Sequence, residues 1–166
     1  MTASFISKYI GKKNTKPSLL FSLDSKYRSW FPYEDFNQIQ QKCLHPILQS
    51  DENIIISAPT GSGKTSLFEF AMIREFQHAQ SSFNGKILYL APMRALCTEK
   101  ASAWKQKLEQ VGKSCIELIG GDKAINDSDI EDADLIISTP EKWDYITRST
   151  NIIQRISLIL VNIKGF

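Results

Sequence analysis

The chain has 166 residues, of which 42% are hydrophobic and 23% are charged, a composition typical of one soluble globular domain. Its formal net charge of +2 is too small to indicate nucleic-acid binding unless basic residues are placed together. The three cysteines, Cys43, Cys97 and Cys115, are too widely separated for metal-ligand pairs, and they favour a reducing compartment. The sequence shows neither a bilayer-spanning apolar run nor a signal-peptide pattern, so it predicts no membrane association and a nuclear or cytoplasmic location.

The N-terminal residues 1–29 are basic and lack sustained periodicity, which predicts a mobile segment ahead of a domain that covers residues 30–166. Such a segment could contact a nucleic-acid backbone through its lysines, or it could simply be solvated. The aromatic residues between Trp30 and Phe36 are expected to pack over a core, or else to form one wall of a base pocket.

Residues 37–48 have the periodicity of a helix, which Pro46 is expected to kink or to end early. The apolar side of this helix is predicted to carry Ile39, Cys43, Ile47 and Leu48. Gln40 is a candidate for reading an adenine edge, because a carboxamide offers both a donor and an acceptor. The alternative is an ordinary surface glutamine.

A phosphate-binding loop is predicted between a short buried parallel strand at residues 53–57 and a buried helix at residues 67–76. The glycine-rich turn ends in Lys-Thr and has Ala58 where the pattern usually has glycine. Backbone N–H groups of such a loop surround phosphates, the lysine contacts the β- and γ-phosphates, and the threonine hydroxyl binds Mg²⁺. The predicted nucleotide-binding residues are Ala58, Pro59, Thr60, Gly61, Ser62, Gly63, Lys64 and Thr65, with Thr65 also as the metal ligand. The alternative is a glycine-rich turn with a solvated lysine.

Four further strands are predicted, and helical segments separate them. They are expected at residues 86–91, 114–118, 135–138 and 156–161. Alternating strands and helices predict right-handed crossovers and a parallel sheet with helices on both faces. Ligands of such sheets bind at the carboxyl ends of the strands. The loops expected there are residues 58–65, 92–95, 120–122 and 139–143.

Taken together, these loops resemble the motifs of the first motor domain of superfamily 2 helicases. FNQIQ at residues 36–40 resembles the Q motif, APTGSGKT at residues 58–65 resembles motif I, and APMRAL at residues 91–96 resembles motif Ia. GGD at residues 120–122 resembles an Ic-type loop, and STPEKWD at residues 138–144 resembles motif Ib. The stretches TPEKWD and WFPYEDFNQIQ are most similar to the Ski-type DExH branch, and within it to the meiotic crossover-promoting DNA helicases.

The resemblance covers roughly residues 25–161 and implies an α/β fold of the RecA-like, P-loop NTPase type. It also implies that Gln40 reads adenine, that motif I binds ATP with Mg²⁺, and that the protein is nuclear. Motifs Ia, Ic and Ib would contact the backbone of a single nucleic-acid strand, expected to be DNA, weakly and without sequence preference. The residues carried over to that contact are Pro92, Arg94, Gly121, Asp122, Thr139 and Pro140. Trp143 is expected to pack in the core.

Hydrolysis in that family requires an Asp that holds Mg²⁺ and a Glu that positions the attacking water, both after the fifth strand. Asn162 and Ile163 occupy those places here, so no catalytic residue is predicted. We therefore expect a sheet that is incomplete at its C-terminal end, in a truncated ATP-binding motor domain that does not hydrolyse ATP on its own. The alternatives are a non-catalytic module that binds nucleotide or a partner, and a small phosphotransferase.

Overall fold

The computed structural model describes residues 24–33, 35–78, 85–120, 127–148 and 152–163. The chain divides into two compact units, Met1–Phe70 and Ala71–Phe166. Among the described residues, no helix is both long enough and apolar enough to cross a membrane.

The first unit contains helix α1 at Ser25–Arg28, helix α2 at Gln38–Gln49 and the beginning of helix α3 at Lys64–His78. Helix α1 lies inside the segment predicted to be mobile, so that prediction is corrected for the residues from Asp24 onward. The Asp24 carboxylate accepts a hydrogen bond from the Lys26 N–H and caps the helix. Tyr27, 1% exposed, meets Trp30 edge to face at 5.6 Å, and this contact anchors the helix. Residues 1–23 lie outside the described ranges.

Helix α2 confirms the predicted helix to within one residue and continues through Pro46 to Gln49. Its buried positions are Gln40, Leu44 and Ile47. Of the residues predicted on the apolar side, Ile47 is buried and Ile39, Cys43 and Leu48 are half-buried, whereas Gln40, predicted with the other glutamines on the polar side, is buried. Which face of a short helix is buried depends on its tertiary neighbours as well as on its own pattern.

The predicted strand at residues 53–57 is absent. The segment has no strand geometry, and Ile54 and Ile55 are 40% and 84% exposed. A run of β-branched residues satisfies the local preference for a strand, but a strand also needs a hydrogen-bonded neighbour. No described strand pairs with these residues, so the local preference has no partner to complete it.

The second unit contains a parallel sheet whose elements alternate as the sequence predicts. In chain order its further elements are β1 Lys86–Leu90, α4 Arg94–Glu109, β2 Cys115–Leu118, α5 Asp127–Asp132, β3 Leu135–Ser138, α6 Pro140–Thr147, the 3-10 helix Ile152–Arg155 and β4 Ile156–Val161. The described strands lie in the order β2-β3-β1-β4, all parallel. Leu88 of β1 pairs with Ile136 of β3 and with Ile159 of β4, which sets the register.

Helices pack on both faces of this sheet. Alternate side chains of a strand point to opposite faces, so neighbouring residues of β1 contact different helices. Leu88 and Ile136 pack in one buried cluster with Trp143 of α6, which confirms the packing role predicted for that tryptophan. Tyr89 points the other way and meets Trp104 of α4 edge to face at 5.0 Å. The α/β fold with a parallel sheet is thus confirmed, with the strand at residues 53–57 as the exception.

Candidate functional site

In the first unit, the predicted phosphate loop leads directly into the N-terminus of α3. Gly61 and Gly63 both have φ of +80°, a backbone region that side chains with a Cβ rarely adopt. The Ser62 N–H donates to the Pro59 carbonyl at 3.3 Å, which closes a tight turn around Gly61. The loop therefore has the conformation in which successive N–H groups can face an anion, next to the positive end of a helix.

The Lys64 side chain folds back over this loop. Its ammonium donates to the carbonyl oxygens of Ala58 and Pro59 at 2.5 and 2.6 Å. Both acceptors are neutral, so phosphate oxygens would offer the ammonium stronger, charge-assisted bonds. These two bonds hold the Lys64 ammonium, the only charged group of the predicted loop, close to the loop backbone.

Thr65 lies half-buried in the first turn of α3, next to Lys64. No group of three or more His, Cys, Asp and Glu side chains that could bind a metal occurs among the described residues. A single hydroxyl fits Mg²⁺ only where phosphate oxygens and water complete the shell, and this is how Mg²⁺ usually binds beside nucleotides. Among the described residues, this donor set is thus compatible with Mg²⁺ that arrives bound to a nucleotide, but not with a site built from protein ligands alone.

The start of α2 is fastened to the phosphate loop by two carboxamide side chains. Gln40 is 4% exposed; its Oε1 accepts from the Asn37 N–H at 3.0 Å, and its Nε2 donates to the Gly63 carbonyl at 3.4 Å. Asn37 caps α2 through its Oδ1 and donates from Nδ2 to the Ser62 carbonyl at 2.9 Å. Both polar atoms of Gln40 are therefore used by protein groups. Reading of adenine by Gln40 stays a prediction that requires some of these bonds to be exchanged.

Asn37 is a site residue that the sequence analysis missed. The signal was present, because Asn at position 37 followed by Gln at position 40 is a capping-box pattern at the start of a helix. That pattern predicts the cap, but it does not predict the bond to Ser62, which depends on how the loop is placed.

Tyr33 and its aromatic neighbours pack against the first turns of α3. The Tyr33 hydroxyl donates to Ser66 Oγ at 2.6 Å. Burial raises the pKa of this phenol above its ordinary value, the hydrogen bond to Ser66 lowers it, and the Glu69 carboxylate raises it again. Phe31 and Phe36 are 6% and 7% exposed; Phe31 stacks on Phe70 and Phe36 meets it edge to face, so they pack as core residues and do not form an open wall.

In the second unit, a cleft of about 630 Å³ opens at the carboxyl ends of the strands. It is lined by Pro92, Arg94, Gly120, Thr139, Glu141, Lys142 and Tyr145. Three of the six predicted nucleic-acid contacts, Pro92, Arg94 and Thr139, are thus brought together. Pro140 is the first residue of α6 beside them, whereas Gly121 and Asp122 lie outside the described ranges. The sequence analysis missed Lys142 and Tyr145 as members of this surface.

Arg94 depends on a glycine for its position in the cleft. It is the first residue of α4, exposed, and its guanidinium lies so close to Gly120 that a Cβ there would be 2.6 Å from Cζ. Gly120 has φ of +55°, which adds a backbone reason for glycine. The Ser138 hydroxyl donates to the Leu118 carbonyl at 2.8 Å and ties the ends of β3 and β2 together beneath the cleft.

The rim of the cleft carries both signs of charge. Lys142 Nζ lies 5.3 Å from the ring centroid of Tyr145, which is 69% exposed. Glu141 in the same lining opposes the positive field of Arg94 and Lys142. The surface therefore offers two cations and an exposed ring, with modest net charge.

Asn162 follows β4 and is built into the sheet. Its backbone N–H donates to the Leu90 carbonyl at 2.8 Å, and its Nδ2 donates to the Tyr89 hydroxyl at 2.9 Å. Burial raises the pKa of the Tyr89 phenol, while the hydrogen bond from Asn162 lowers it. Ile163, 74% exposed, follows directly. Neither side chain supplies an anionic oxygen.

Residues 37–162 match the DEAD/DEAH box helicase family. The chain belongs to this family. Its members use ATP, generally with Mg²⁺, which agrees with the glycine conformations and the lysine of the phosphate loop.

Several curated proteins resemble this DEAD/DEAH box helicase chain. It is 43% identical over 134 residues to the ATP-dependent DNA helicase MER3 homolog of Oryza sativa subsp. japonica, covering 76% of this chain and 11% of that protein. It is 41% identical over 136 residues to the ATP-dependent DNA helicase homolog MER3 of Arabidopsis thaliana, covering 76% and 12%. It is 37% identical over 140 residues to activating signal cointegrator 1 complex subunit 3 of Homo sapiens, covering 82% and 6%. The chain thus spans only 6–12% of the length of these relatives.

A solved structure of the DUF1998 helicase MrfA bound to DNA and AMPPNP has the same fold. The two chains share 18% identity and superpose with a TM-score of 0.68, covering 84% of this chain and 21% of the other. The likeness supports the RecA-like architecture of this helicase-family chain.

Alanine substitutions at Gly61 and Gly63 are expected to destabilise the protein by different amounts. Gly61→Ala meets open space, so we expect it to lower the free energy of unfolding by about 1–2 kcal/mol for the positive φ alone. Gly63→Ala places a Cβ 2.4 Å from Gln40 Nε2 and should cost about 1–3 kcal/mol more. Urea unfolding of the two variants and the wild type, with equal m-values, is the measurement. Equal losses would show that Gln40 moves aside freely.

Proposed function

We propose that this chain is the ATP-binding first motor domain of an ATP-dependent DNA helicase of the Ski-type branch, and that it is nuclear. The observation that carries the proposal is the phosphate loop: two glycines at φ of +80° and a lysine at the first position of a 15-residue helix. The backbone N–H donors of such a loop, a helix N-terminus and a lysine ammonium together suit a triphosphate. The similarity to DNA helicases named MER3 supports the branch and the substrate class.

Binding is expected to proceed by exchange of partners within the first unit. The Lys64 ammonium leaves the carbonyls of Ala58 and Pro59 for the β- and γ-phosphates, and Thr65 offers its hydroxyl to the Mg²⁺ that the nucleotide brings. Gln40 is proposed to contact adenine, which it can do while its Oε1 or Nε2 releases one of the present bonds. The nucleotide-binding set remains Gln40, Ala58, Pro59, Thr60, Gly61, Ser62, Gly63, Lys64 and Thr65.

Loss of the loop cation tests nucleotide binding. Lys64→Ala should weaken ATP affinity at least tenfold, because a charge-assisted hydrogen bond contributes about 1.5–3 kcal/mol. Calorimetric titration with ATP and Mg²⁺ gives the affinities. Lys42→Ala is the matched control, since Lys42 is an exposed lysine on α2 of the same unit and removes the same charge. Equal affinity of Lys64→Ala and the wild type would contradict the proposal.

We further propose that the cleft of the second unit contacts the backbone of single-stranded DNA, weakly and without sequence preference. Arg94 and Lys142 supply two cations for phosphates, Tyr145 offers a ring for stacking, and Thr139 and Pro140 place the N-terminus of α6 at the rim. Gly121 and Asp122 are included in the proposed contact only because of the motif resemblance in the sequence. Two cations opposed by Glu141 are too few for tight binding.

The salt dependence of binding tests this surface. A labelled single strand should bind with a log–log salt slope of about −1 to −2, since each phosphate contact contributes about −0.7. Arg94→Gln should reduce the slope by about 1 and weaken all sequences alike. Arg155→Gln removes the same charge at the amino end of β4, where Arg155 lies 3.7 Å from Glu131, and should change nothing. Tight, salt-insensitive or sequence-specific binding would contradict the assignment.

We also propose that these 166 residues alone bind ATP without hydrolysing it at a motor rate. Asn162 and Ile163 stand where the resemblance expects the Mg²⁺-binding Asp and the catalytic Glu, and the Asn162 amide donates to Tyr89. A neutral amide donor cannot stabilise Mg²⁺ as a carboxylate does, and isoleucine cannot orient water. The same observation favours the second candidate, a regulatory module that binds nucleotide or a partner without turnover.

Phosphate release by the purified 166-residue chain tests the absence of turnover. Protein that is soluble and binds ATP by calorimetry should release no phosphate above the level seen with Lys64→Ala, with or without single-stranded DNA, because no carboxylate is available at positions 162 and 163. The variant serves as the control for contaminating ATPase. Release that single-stranded DNA stimulates and Lys64→Ala abolishes would overturn this part of the proposal.

A further inference from the structure

Asn37 is the residue whose contacts the proposed function leaves unexplained. Its Oδ1 accepts from the N–H groups of Ile39 and Gln40 at 3.0 and 2.9 Å, which is sufficient to cap α2. Its Nδ2 is not needed for that cap. This atom instead donates to the Ser62 carbonyl, 25 positions away in the chain, at 2.9 Å.

The peptide between Ser62 and Gly63 precedes a glycine, so its plane has freedom to rotate. Rotation of that plane requires changes in ψ of Ser62 and φ of Gly63, and Gly63 has no Cβ to oppose them. The next carbonyl, that of Gly63, is already fixed because it accepts from the Ser66 N–H in the first turn of α3 at 3.1 Å. The Ser62 carbonyl, by contrast, accepts from Asn37 Nδ2, a donor that lies outside the loop.

Fixing this carbonyl also fixes the N–H on the other side of the same peptide. A trans peptide is planar, with C=O and N–H pointing in opposite directions, and the chain has no cis peptide bond among its described residues. With the Ser62 oxygen held toward α2, the Gly63 N–H points away from α2. Turned by half a revolution, the same peptide would present a carbonyl oxygen to an anion, and the loop would repel a phosphate at that point.

We propose that Asn37 is a positioning residue for phosphate binding: its Nδ2 orients the Ser62–Gly63 peptide so that the Gly63 N–H faces the phosphates. The proposal rests on the nucleotide binding proposed above and adds a residue to it. The effect is preorganisation, because a donor that is already oriented loses less entropy when the ligand binds. Asn37 acts on the polyphosphate through Ser62 and need not touch the ligand itself.

Asn37→Ser separates this role from the cap. Serine caps helices about as well as asparagine, but its side chain is too short to reach the Ser62 carbonyl. We expect the affinities for ATP and for inorganic tripolyphosphate to fall together, by about threefold to tenfold, the range for one hydrogen bond. The urea midpoint should fall no further than in the Gln41→Ala control described below, which also loses one amide–carbonyl bond of α2. Tripolyphosphate is the deciding probe, since it has no base and cannot report on contacts of Gln40 to adenine.

Gln41→Ala is the matched control on the same helix. The Gln41 amide donates to the Phe36 carbonyl at 2.6 Å, so this variant also removes one amide–carbonyl bond of α2, but none to the loop. It should leave tripolyphosphate affinity unchanged. Wild-type affinity in Asn37→Ser, or an equal loss in Gln41→Ala, would overturn the inference while nucleotide binding stands. Failure of the wild type to bind either ATP or tripolyphosphate would instead overturn the proposed function and the inference with it.

Discussion

A phosphate loop must turn its backbone N–H groups toward one point, and a chain can do so only where residues accept positive φ. Gly61 and Gly63 satisfy this requirement, each at +80°. Glycine permits this loop conformation but does not enforce it, because glycine can adopt many other φ and ψ values as well. The enforcement comes from outside the loop, through the carboxamides of Asn37 and Gln40, which lie so close that a Cβ at Gly63 would collide with Gln40. Glycine 63 is thus required for two independent reasons, its φ and the approach of α2.

In the second unit, the parallel sheet brings the loops that line the cleft together. Parallel strands place their carboxyl ends together, so the loops after β1, β2 and β3 converge without any contact between them being specified in sequence. Local bonds then fix the details: Ser138 ties β3 to the end of β2, and Gly120 leaves room for the Arg94 guanidinium. Glu141 in the same lining limits the positive field. The DNA contact proposed at this surface is therefore expected to be weak and quickly released.

Signals that are local in sequence predicted the structure well, and those that depend on distant partners did not. The bounds of β3 and β4 and the cap of α6 by Thr139 follow from alternation, turn residues and capping preferences. The prediction of a strand at residues 53–57 was wrong because a strand needs a second segment to pair with. The local sequence pattern contains no information about that second segment. Lys142 was missed because its membership of the cleft depends on the convergence of three loops. The hydrogen bond from Asn37 to Ser62 could not be predicted for the same reason, although the capping pattern of Asn37 could be recognised in the sequence.

Asn162 is the residue on which the proposed separation of nucleotide binding from turnover depends. Its amide is nearly isosteric with a carboxylate, and its partner, the Tyr89 hydroxyl, could donate to an acid as readily as it accepts from the amide. The fold therefore does not demand a neutral residue at this position, and the missing charge is a property of the residue alone. The hydrogen bonds that shape the phosphate loop, by contrast, all join residues of the first unit, from Asn37 to Ser66. The proposed nucleotide site is thus shaped by residues of the first unit, whereas the hydrolysis that the resemblance implies needs a carboxylate that positions 162 and 163 do not provide.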